Sequence, residues 1–406
     1  MKTWRLDKTK DRRFKQGHPW VFSNEIQGSP KGVEIGEVVK LADSGGDFLS
    51  YGFGNPSSLI AFRAISRNPE WDEARWVEIA LARASGMRRS MGFGESSHRA
   101  VFAEADGLPG LVVDAYCYDK NDWVYVVQAQ TAGADKILTQ VIEYYKKLGS
   151  VITKNTSEMR KMDGLEVQKP VVVHNPKEKN FEDVTVHVQT GSVMFDLNTD
   201  LVGGQKTGLF LDQRSNIESL ISLISKTEKK ELKVLDLCCY VGQWTTAITT
   251  FAKSRDISIK ATLFDTSKSA LERAHHNVKQ AGAAVIECIT GDVLKDLEKI
   301  KNQFDIVICD PPGFISGRKN IPTGRAAYFK LNEQAISKVR PTGLYVSCSC
   351  SGLLTEEDFE ETLLKSVNRS KRQFLGLTRG TQSPDHPYIL GFSEGRYLKS
   401  WIGQVL

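Results

Sequence analysis

No apolar run in this chain approaches the ~20 residues that a membrane-spanning helix needs, so a channel or transporter is not expected. The N-terminal stretch MKTWRLDKTKDRRFK carries charge with no apolar segment behind it. That excludes a secretory signal, and the expected compartment is the cytoplasm. Cysteine is scarce: Cys117, Cys238, Cys239, Cys288, Cys309, Cys348 and Cys350 are all there is. None forms a C-x-x-C pair, so no metal is expected. The odd number and the expected compartment argue against a disulfide framework, which leaves free thiols for packing or chemistry. A dominant charge of one sign is also missing, since 54 Lys and Arg against 49 Asp and Glu leave a net +5. Internal repeats and low-complexity segments are absent as well.

What is present begins with length. At roughly 100–200 residues per domain, a chain of 406 residues should hold two or three domains. Lys2, Arg5, Lys8, Lys10, Arg12, Arg13 and Lys15 crowd the N-terminus, broken by Asp7 and Asp11. Such a cluster suits nucleic-acid phosphates, although charge runs are more often a solvated face. Residues 1–70 read as short strands punctuated by Gly and Pro (GVEIGEVVKLAD, DFLSYGFGNP, SLIAFRAI). Residues 71–195 read as an α+β domain: a helix from Trp71 to about Arg89, the turn DGLPG, the strands LVVDAY and WVYVVQAQ, the helix DKILTQVIEYYKKLG, and further strands. Residues 196–406 alternate strands (KVLDLCCY, ATLFDTS, AVIECITGD, FDIVICD, GLYVSCSC) with helices (QWTTAITTFAKS, KSALERAHHNVKQAG). That is the pattern of βαβ units around a parallel sheet.

In such sheets ligands sit beyond the carboxyl ends of the strands. The first of these strands ends in Asp236-Leu-Cys-Cys-Tyr240-Val-Gly242. A dinucleotide fold calls for G-x-G-x-x-G; only Gly242 is present, so a ligand without phosphates, such as S-adenosylmethionine, fits better. Asp265 ends the second strand, where an acid can accept from ribose hydroxyls. Asp292, after the third, can accept from the adenine amino group, and Asn277 lies on the helix between them. Each acid alone reads equally as a turn or N-cap residue. Their succession points to a Rossmann-like class I methyltransferase fold. The fourth strand ends in Asp310-Pro311-Pro312-Gly313, where the prolines fix the backbone and set Asp310 and the proline carbonyl beside the transferable methyl.

The fifth strand ends in Ser347-Cys348-Ser349-Cys350-Ser351-Gly352. Cytosine C5 is a poor nucleophile. A thiolate added to C6 makes the ring an enamine, C5 then takes the methyl group, and loss of the C5 proton with elimination frees the enzyme. Amino-group methylation needs no such cysteine. Cys348 and Cys350 are two apart and in extended chain face the same side. Free cysteines are usually small core residues, so from the strand alone both readings stay open. A nucleophilic thiol, with an ordinary pKa of about 8.5, also needs a neighbour that lowers it.

These segments together resemble the bacterial 23S rRNA cytosine-C5 methyltransferases of the RlmI-like family over nearly the whole chain. HPWVFSNEI (His18–Ile26) is similar to the family's PUA signature and AEADGLPGLVVDAY to its central domain. KTGLFLDQRSNI, VLDLCCYVGQWT, DTSKSAL, DPPGFISGRK and SCSGLL are similar, in order, to its methyltransferase segments, and DHPYILGFSEGRYLKSW to its C-terminal strands. The resemblance implies that Asp236, Tyr240 and Gly242 line the cofactor pocket, that Asp265 and Ser267 and then Asp292 serve its ribose and adenine, and that Gln213 and Arg214 close over the cofactor or position substrate. It selects Cys350 over Cys348 as nucleophile and gives Asp310 a hold on the cytosine edge. It also implies RNA contacts through the PUA module and around the active site: Arg12, Arg13, Lys15, His18 and Trp20, then Arg318, Lys319, Tyr328 and Lys330, with Asn332 in the same segment as the last two. Gly313 departs from the Lys or Ala common in the family and from the second cysteine of a related family, and Ala103 replaces a common glycine. The implied partner is ribosomal RNA, naked or in a partly assembled large subunit, with the target cytosine out of its stack; a homodimer is also entertained. Two other readings are an amino-group methyltransferase acting on guanine or adenine, and a non-catalytic RNA-binding assembly factor.

Overall fold

A computed structural model describes residues 1–119 and 122–406. Among them, no helix is long and apolar enough to cross a membrane. They divide into two compact units. One comprises Met1–Val184, Asp200–Gly208 and Pro384–Gly395; the other comprises Thr185–Thr199, Leu209–Ser383 and Arg396–Leu406. The β-rich and α+β stretches that look separate in the sequence therefore share one unit, and the chain returns to it twice.

In the first unit, β1 (Thr3–Arg5), α1 (Arg12–Lys15), β2 (Trp20–Phe22), β3 (Glu37–Ala42), β4 (Phe48–Gly54) and β5 (Ile60–Ser66) come first. Their sheet runs β1-β3-β4-β5-β2. Trp4, Leu6, Phe14, Val21, Val39, Leu41 and Phe62 are buried as its core. Val39 and Leu41 share a face because strand side chains alternate; full burial of each stabilises by ~1.5–3 kcal/mol. There follow α2 (Trp76–Ser90), β6 (His98–Phe102), β7 (Leu111–Asp119), β8 (Asp122–Ala129), α3 (Ala132–Lys146), β9 (Ser150–Thr153), α4 (Met159–Met162) and β10 (Val171–His174). These strands lie in the order β10-β9-β8-β7, with β6 on β7. The fully buried Arg88 donates to both oxygens of Asp106, at 2.6 and 2.8 Å, and to the Asp385 carbonyl at 2.8 Å. Removing either charge would cost ~3–5 kcal/mol, because the other would be left buried and unpaired.

The second unit opens with the neighbouring strands β11 (Val184–Thr190) and β12 (Val193–Thr199). It continues through α5 (Arg214–Ile224), β13 (Glu231–Leu237), α6 (Gln243–Lys253), β14 (Ser258–Asp265), α7 (Lys268–Ala281), β15 (Val285–Thr290), β16 (Phe304–Cys309), α8 (Ile321–Ser337), β17 (Val339–Ser349), α9 (Glu356–Arg369), β18 (Phe374–Gly380) and β19 (Lys399–Val405). The sheet order is β15-β14-β13-β16-β17-β19-β18. The pairings from β15 to β17 are parallel, and β19 runs antiparallel to both β17 and β18. β16 is buried at every position, as a strand covered on both faces must be. The chain winds outward from β13 to β15 and then returns to β16. The switch point where open α/β sheets take their ligands thus falls beyond the ends of β13 and β16. As read from the sequence, α7 ends at Gly282, which caps it with φ +107°.

One expectation fails. DHPYILGFSEG is not strand: it lies between β18 and β19 and contains only a 3-10 turn, Ser393–Gly395. Pro384, Pro387, Gly391 and Gly395 disfavour a ladder there. Of the longer matched segment only Lys399, Ser400 and Trp401 enter a strand.

Candidate active site

β13 delivers Asp236 into the sheet with 1 % of its surface exposed. Its Oδ2 accepts from the Thr245 hydroxyl at 2.7 Å; its Oδ1 has no hydrogen-bond partner among the described residues. Burial above all pushes this carboxyl up to about 7. The Thr245 hydrogen bond opposes the rise, and the negative charges of Asp310 and Asp265 add to it. Three acids thus converge beyond adjoining strand ends, and the innermost has an oxygen to spare. Beyond Asp236 the backbone is strained, with Cys238 at φ +59° and Tyr240 at φ +50°. Gly242 follows at φ +76°; a Cβ there would come within 3.1 Å of the Ala274 Cβ. Glycine is needed here for close packing of the loop on α7 as well as for the turn.

Asp310 leaves β16 half-buried and is held firmly. Gln213 Nε2 donates to both its oxygens at 2.9 Å, and the Trp244 indole N–H donates to Oδ2 at 3.1 Å. Gln213 is itself fixed, since its Oε1 accepts from Asn216 at 2.7 Å. The LDQR segment therefore holds the loop after β16 through Asp310. Arg214, expected beside Gln213, is buried at the start of α5, where its carbonyl accepts from Thr190 at 2.6 Å. Trp244 was not foreseen. Its signal was an aromatic N–H donor in the first turn of the helix after the Gly242 turn.

Several residues expected around the cofactor carry hydrogen bonds that also explain them structurally. Asp265 accepts from the backbone N–H of Tyr240 and of Ser267, both at 2.9 Å. Ser267 caps α7, accepting from Ala270 N at 3.2 Å. Asn277 is buried; it donates to the carbonyls of Asn198 and Val241 at 3.0 and 2.9 Å and accepts from Asn198 N at 2.8 Å. Its amide is a staple between β12 and the loop after β13. Asp292 accepts from Leu294 N at 2.9 Å and pairs with Lys295 at 3.0 Å, and these contacts hold its carboxyl below the usual range. Pro311 is buried, while Pro312 and Gly313 are exposed.

The expectation that Cys348 and Cys350 share one face holds only while the chain stays extended, and β17 stops at Ser349. Cys348 is 1 % exposed and donates to the Ser400 hydroxyl at 3.4 Å; burial and the Asp310 charge push its thiol well up. Cys350 lies one residue past the strand and is only partly buried. A Cβ on Gly313 would lie 3.5 Å from its sulfur, so the sulfur stands against the Asp310–Gly313 loop. Ser351 secures this arrangement: its hydroxyl accepts from Ile315 N at 3.3 Å and meets the Tyr328 hydroxyl at 2.9 Å. Tyr328 is fully buried, so the segment AAYFKLNEQA supports the cysteine loop from beneath. Asn332, also buried, donates to the Tyr328 carbonyl at 2.7 Å and accepts from the Tyr345 and Ser347 hydroxyls at 2.7 and 2.5 Å. Cys309 is in the core as expected, its thiol pushed up to about 12 by burial. The buried Lys399 was missed. Its Nζ donates to the carbonyls of Ser351 and Leu354, each at 2.7 Å. A single charged residue in the otherwise uncharged strand KSWIGQV was the available signal.

The residues expected to contact RNA divide by exposure. Arg12, Lys15, Arg318, Lys319 and Lys330 are exposed, Lys15 being paired with Asp11 at 2.6 Å and Asp43 at 3.3 Å. Arg13 pairs with Glu25 at 2.9 Å and lies over the Phe22 ring. His18 is buried between Trp20 and Phe392, and burial with the nearby Arg13 charge lowers its pKa. Trp20 donates from its indole to Glu104 at 2.8 Å and carries Arg63 on its ring. His18, Trp20 and Tyr328 thus carry packing contacts, as ring area and a polar tip suit a partly buried seam.

Residues 5–67 match the PUA-like domain family and residues 228–391 the methyltransferase domain family. A protein of Klebsiella pneumoniae named Ribosomal RNA large subunit methyltransferase I is 29% identical over 99% of this chain and 98% of its own. A protein of the same name from Alteromonas mediterranea is 29% identical over 98% of each. The solved structure of SMU.776 complexed with SAH is 17% identical and covers 100% of both chains with a TM-score of 0.78. An S-adenosylmethionine-dependent methyltransferase fold from Streptococcus mutans covers 100% of both with a TM-score of 0.76. The chain therefore joins a PUA-like domain to a Rossmann-like methyltransferase domain and is similar along its whole length to the proteins named Ribosomal RNA large subunit methyltransferase I.

Proposed function

We propose that the chain is an S-adenosylmethionine-dependent methyltransferase of large-subunit ribosomal RNA, and that it forms 5-methylcytosine with Cys350 as the nucleophile. The methyltransferase reading draws on the domain match and on the relatives' shared name. The cytosine reading draws on one observation above all: the Cys350 sulfur stands beside Gly313, three residues past the Asp310 carboxylate. The cofactor fits the acids at the strand ends. Asp236, with a buried oxygen that has no partner among the described residues, suits a cationic amino group. Asp265 keeps acceptor capacity beyond its two backbone donors.

When bound, the cofactor supplies an electrophilic methyl group; the chain's own residues prepare the acceptor. The Cys350 thiolate adds to cytosine C6, and the electron pair released into the ring makes C5 the attacking carbon. After transfer, loss of the C5 proton returns those electrons, breaks the S–C6 bond and frees the thiolate. Asp310, held by Gln213 and Trp244, is preset to accept from the cytosine edge without reorganising during reaction. Exposed Arg318, Lys319 and Lys330 are the cations proposed to meet RNA phosphates near the active site, with Arg12 serving from the PUA-like domain.

The experiment is nucleoside mass spectrometry of large-subunit RNA treated with the wild type and with Cys350→Ala. Wild type should produce 5-methylcytosine and Cys350→Ala none, with cofactor binding retained. Methylated guanine or adenine amino groups, unaffected by loss of Cys350, would replace this reading with amino-group chemistry. Failure of the protein to bind S-adenosylmethionine would leave only an assembly factor.

A further inference from the structure

Lys399 is 4 % exposed, and a buried ammonium costs several kcal/mol unless its charge is matched. It lies on β19 directly across from Ser349 of β17, one residue before Cys350. Two of its three N–H donors go to the carbonyls of Ser351 and Leu354, at 2.7 Å each. These are dipoles, not charges, so they orient the ammonium without neutralising it. The acidic groups whose negative charge, when ionised, would act on it are Cys350 and Glu356. Glu356 is half-exposed and shared with Arg379 at 3.0 Å, which leaves Cys350 as the inner partner. The Tyr328 hydroxyl is also beside Cys350, and it hydrogen-bonds the Ser351 hydroxyl.

We propose that Lys399 is the positioning residue of the active site: anchored on the Ser351 and Leu354 carbonyls, its ammonium holds the Cys350 sulfur as a thiolate against the Gly313 loop. This role rests on the reading of Cys350 as the nucleophile and deepens it. It supplies the neighbour that a reactive thiol requires. Burial lowers the Lys399 pKa to about 8, and attraction to Cys350 is the leading effect that opposes the fall. The ammonium form therefore gains from the presence of the thiolate, and by reciprocity the thiolate gains from the ammonium.

The test uses the full-length protein and does not require methyl transfer. Cys350 is alkylated with iodoacetamide over a range of pH, and its labelling rate is read by peptide mass spectrometry. In the wild type, labelling should rise at a pH below that of an ordinary thiol, roughly 8.5. Lys399→Gln, which can still donate to a carbonyl but carries no charge, should move the profile upward and slow labelling at pH 7 about tenfold or more. Lys399→Arg, which restores the charge, should stay within about threefold of wild type. A wild-type profile at or above that of a free thiol overturns the proposal, and this measurement stands even if Lys399→Gln does not fold. Coincident profiles for wild type and a folded Lys399→Gln also overturn it. If Cys350→Ala retained 5-methylcytosine formation, the nucleophile assignment would fail, while the labelling shift would still report whether Lys399 acts on the sulfur.

Discussion

Of the strand ends in the methyltransferase unit that carry cysteines, those of β13 and β17 differ in the charge nearest the sulfur. Cys238 and Cys239 follow β13; burial above all pushes both thiols well up, and the negative charges of Asp236 and Asp265 add to it for both, with Asp310 adding for Cys238. Cys350 follows β17 beside the buried Lys399, and its sulfur meets the loop after β16. The acid-ringed end suits a cationic ligand and keeps its thiols protonated. The end beside a cation suits an anionic sulfur. On the proposed assignment, what sets Cys350 apart from Cys238 and Cys239 is the neighbouring Lys399 charge, together with the single residue by which it clears its strand.

The comparison breaks most directly at the sulfurs. Cys350→Ala should lower methyl transfer by at least ~10³-fold, whereas Cys238→Ser should stay within about fivefold, both measured as incorporation of labelled methyl into RNA. Equal losses would erase the distinction between the two ends. A smaller effect is expected where the ends meet. Gln213→Leu removes the donor that grips both oxygens of Asp310 and should cost roughly 10–100-fold in methyl transfer, with the far smaller change in cofactor affinity read by calorimetry.

The two ends should also titrate in opposite senses. Asp236 has its carboxyl raised from 3.8 to about 7. As pH climbs through that window the unfolded chain ionises first, so the stability this group contributes falls, and it is flat above about 7. Cofactor binding should gain over the upper part of the same window, by up to about tenfold per pH unit below 7, and Asp236→Asn should lose that dependence. Lys399 has its pKa lowered from 10.5 to about 8. Between those values the unfolded chain binds more protons, so its contribution to stability rises with pH. Urea unfolding at several pH values in wild type, Asp236→Asn and Lys399→Met would separate the two slopes. The smallest effect belongs to Gly242→Ala: the left-handed φ and the crowding against Ala274 should cost about 1–3 kcal/mol, seen as a lower urea midpoint.

Much of this arrangement was legible in the sequence. Alternating apolar runs and helical periods placed β13 to β17 and their helices, and Asp236, Asp265, Asp292 and Asp310 could be assigned to strand ends from the sequence alone. Hydrogen-bond allocation was not legible. The sequence did not show that Asn277 ties Asn198 to Val241, or that Tyr328 is buried and hydrogen-bonded to Ser351. A one-dimensional pattern records residue type and period, not which partner a polar group finds across the fold. Lys399 shows the same gap from the other side, because its importance comes from pairing with a strand 50 positions earlier. DHPYILGFSEG shows another: resemblance to a segment does not supply its secondary structure, and Pro387, Gly391 and Gly395 prevailed.

The central claim is that the Cys350 sulfur bonds to cytosine C6 during the reaction. Large-subunit RNA containing 5-fluorocytosine tests it, because fluorine at C5 cannot leave as the proton does and elimination stalls. With S-adenosylmethionine present, the account predicts a stable protein–RNA species whose digested nucleotide adduct maps to Cys350. An adduct on any other cysteine, or turnover of the fluorinated RNA with no adduct at all, would contradict it.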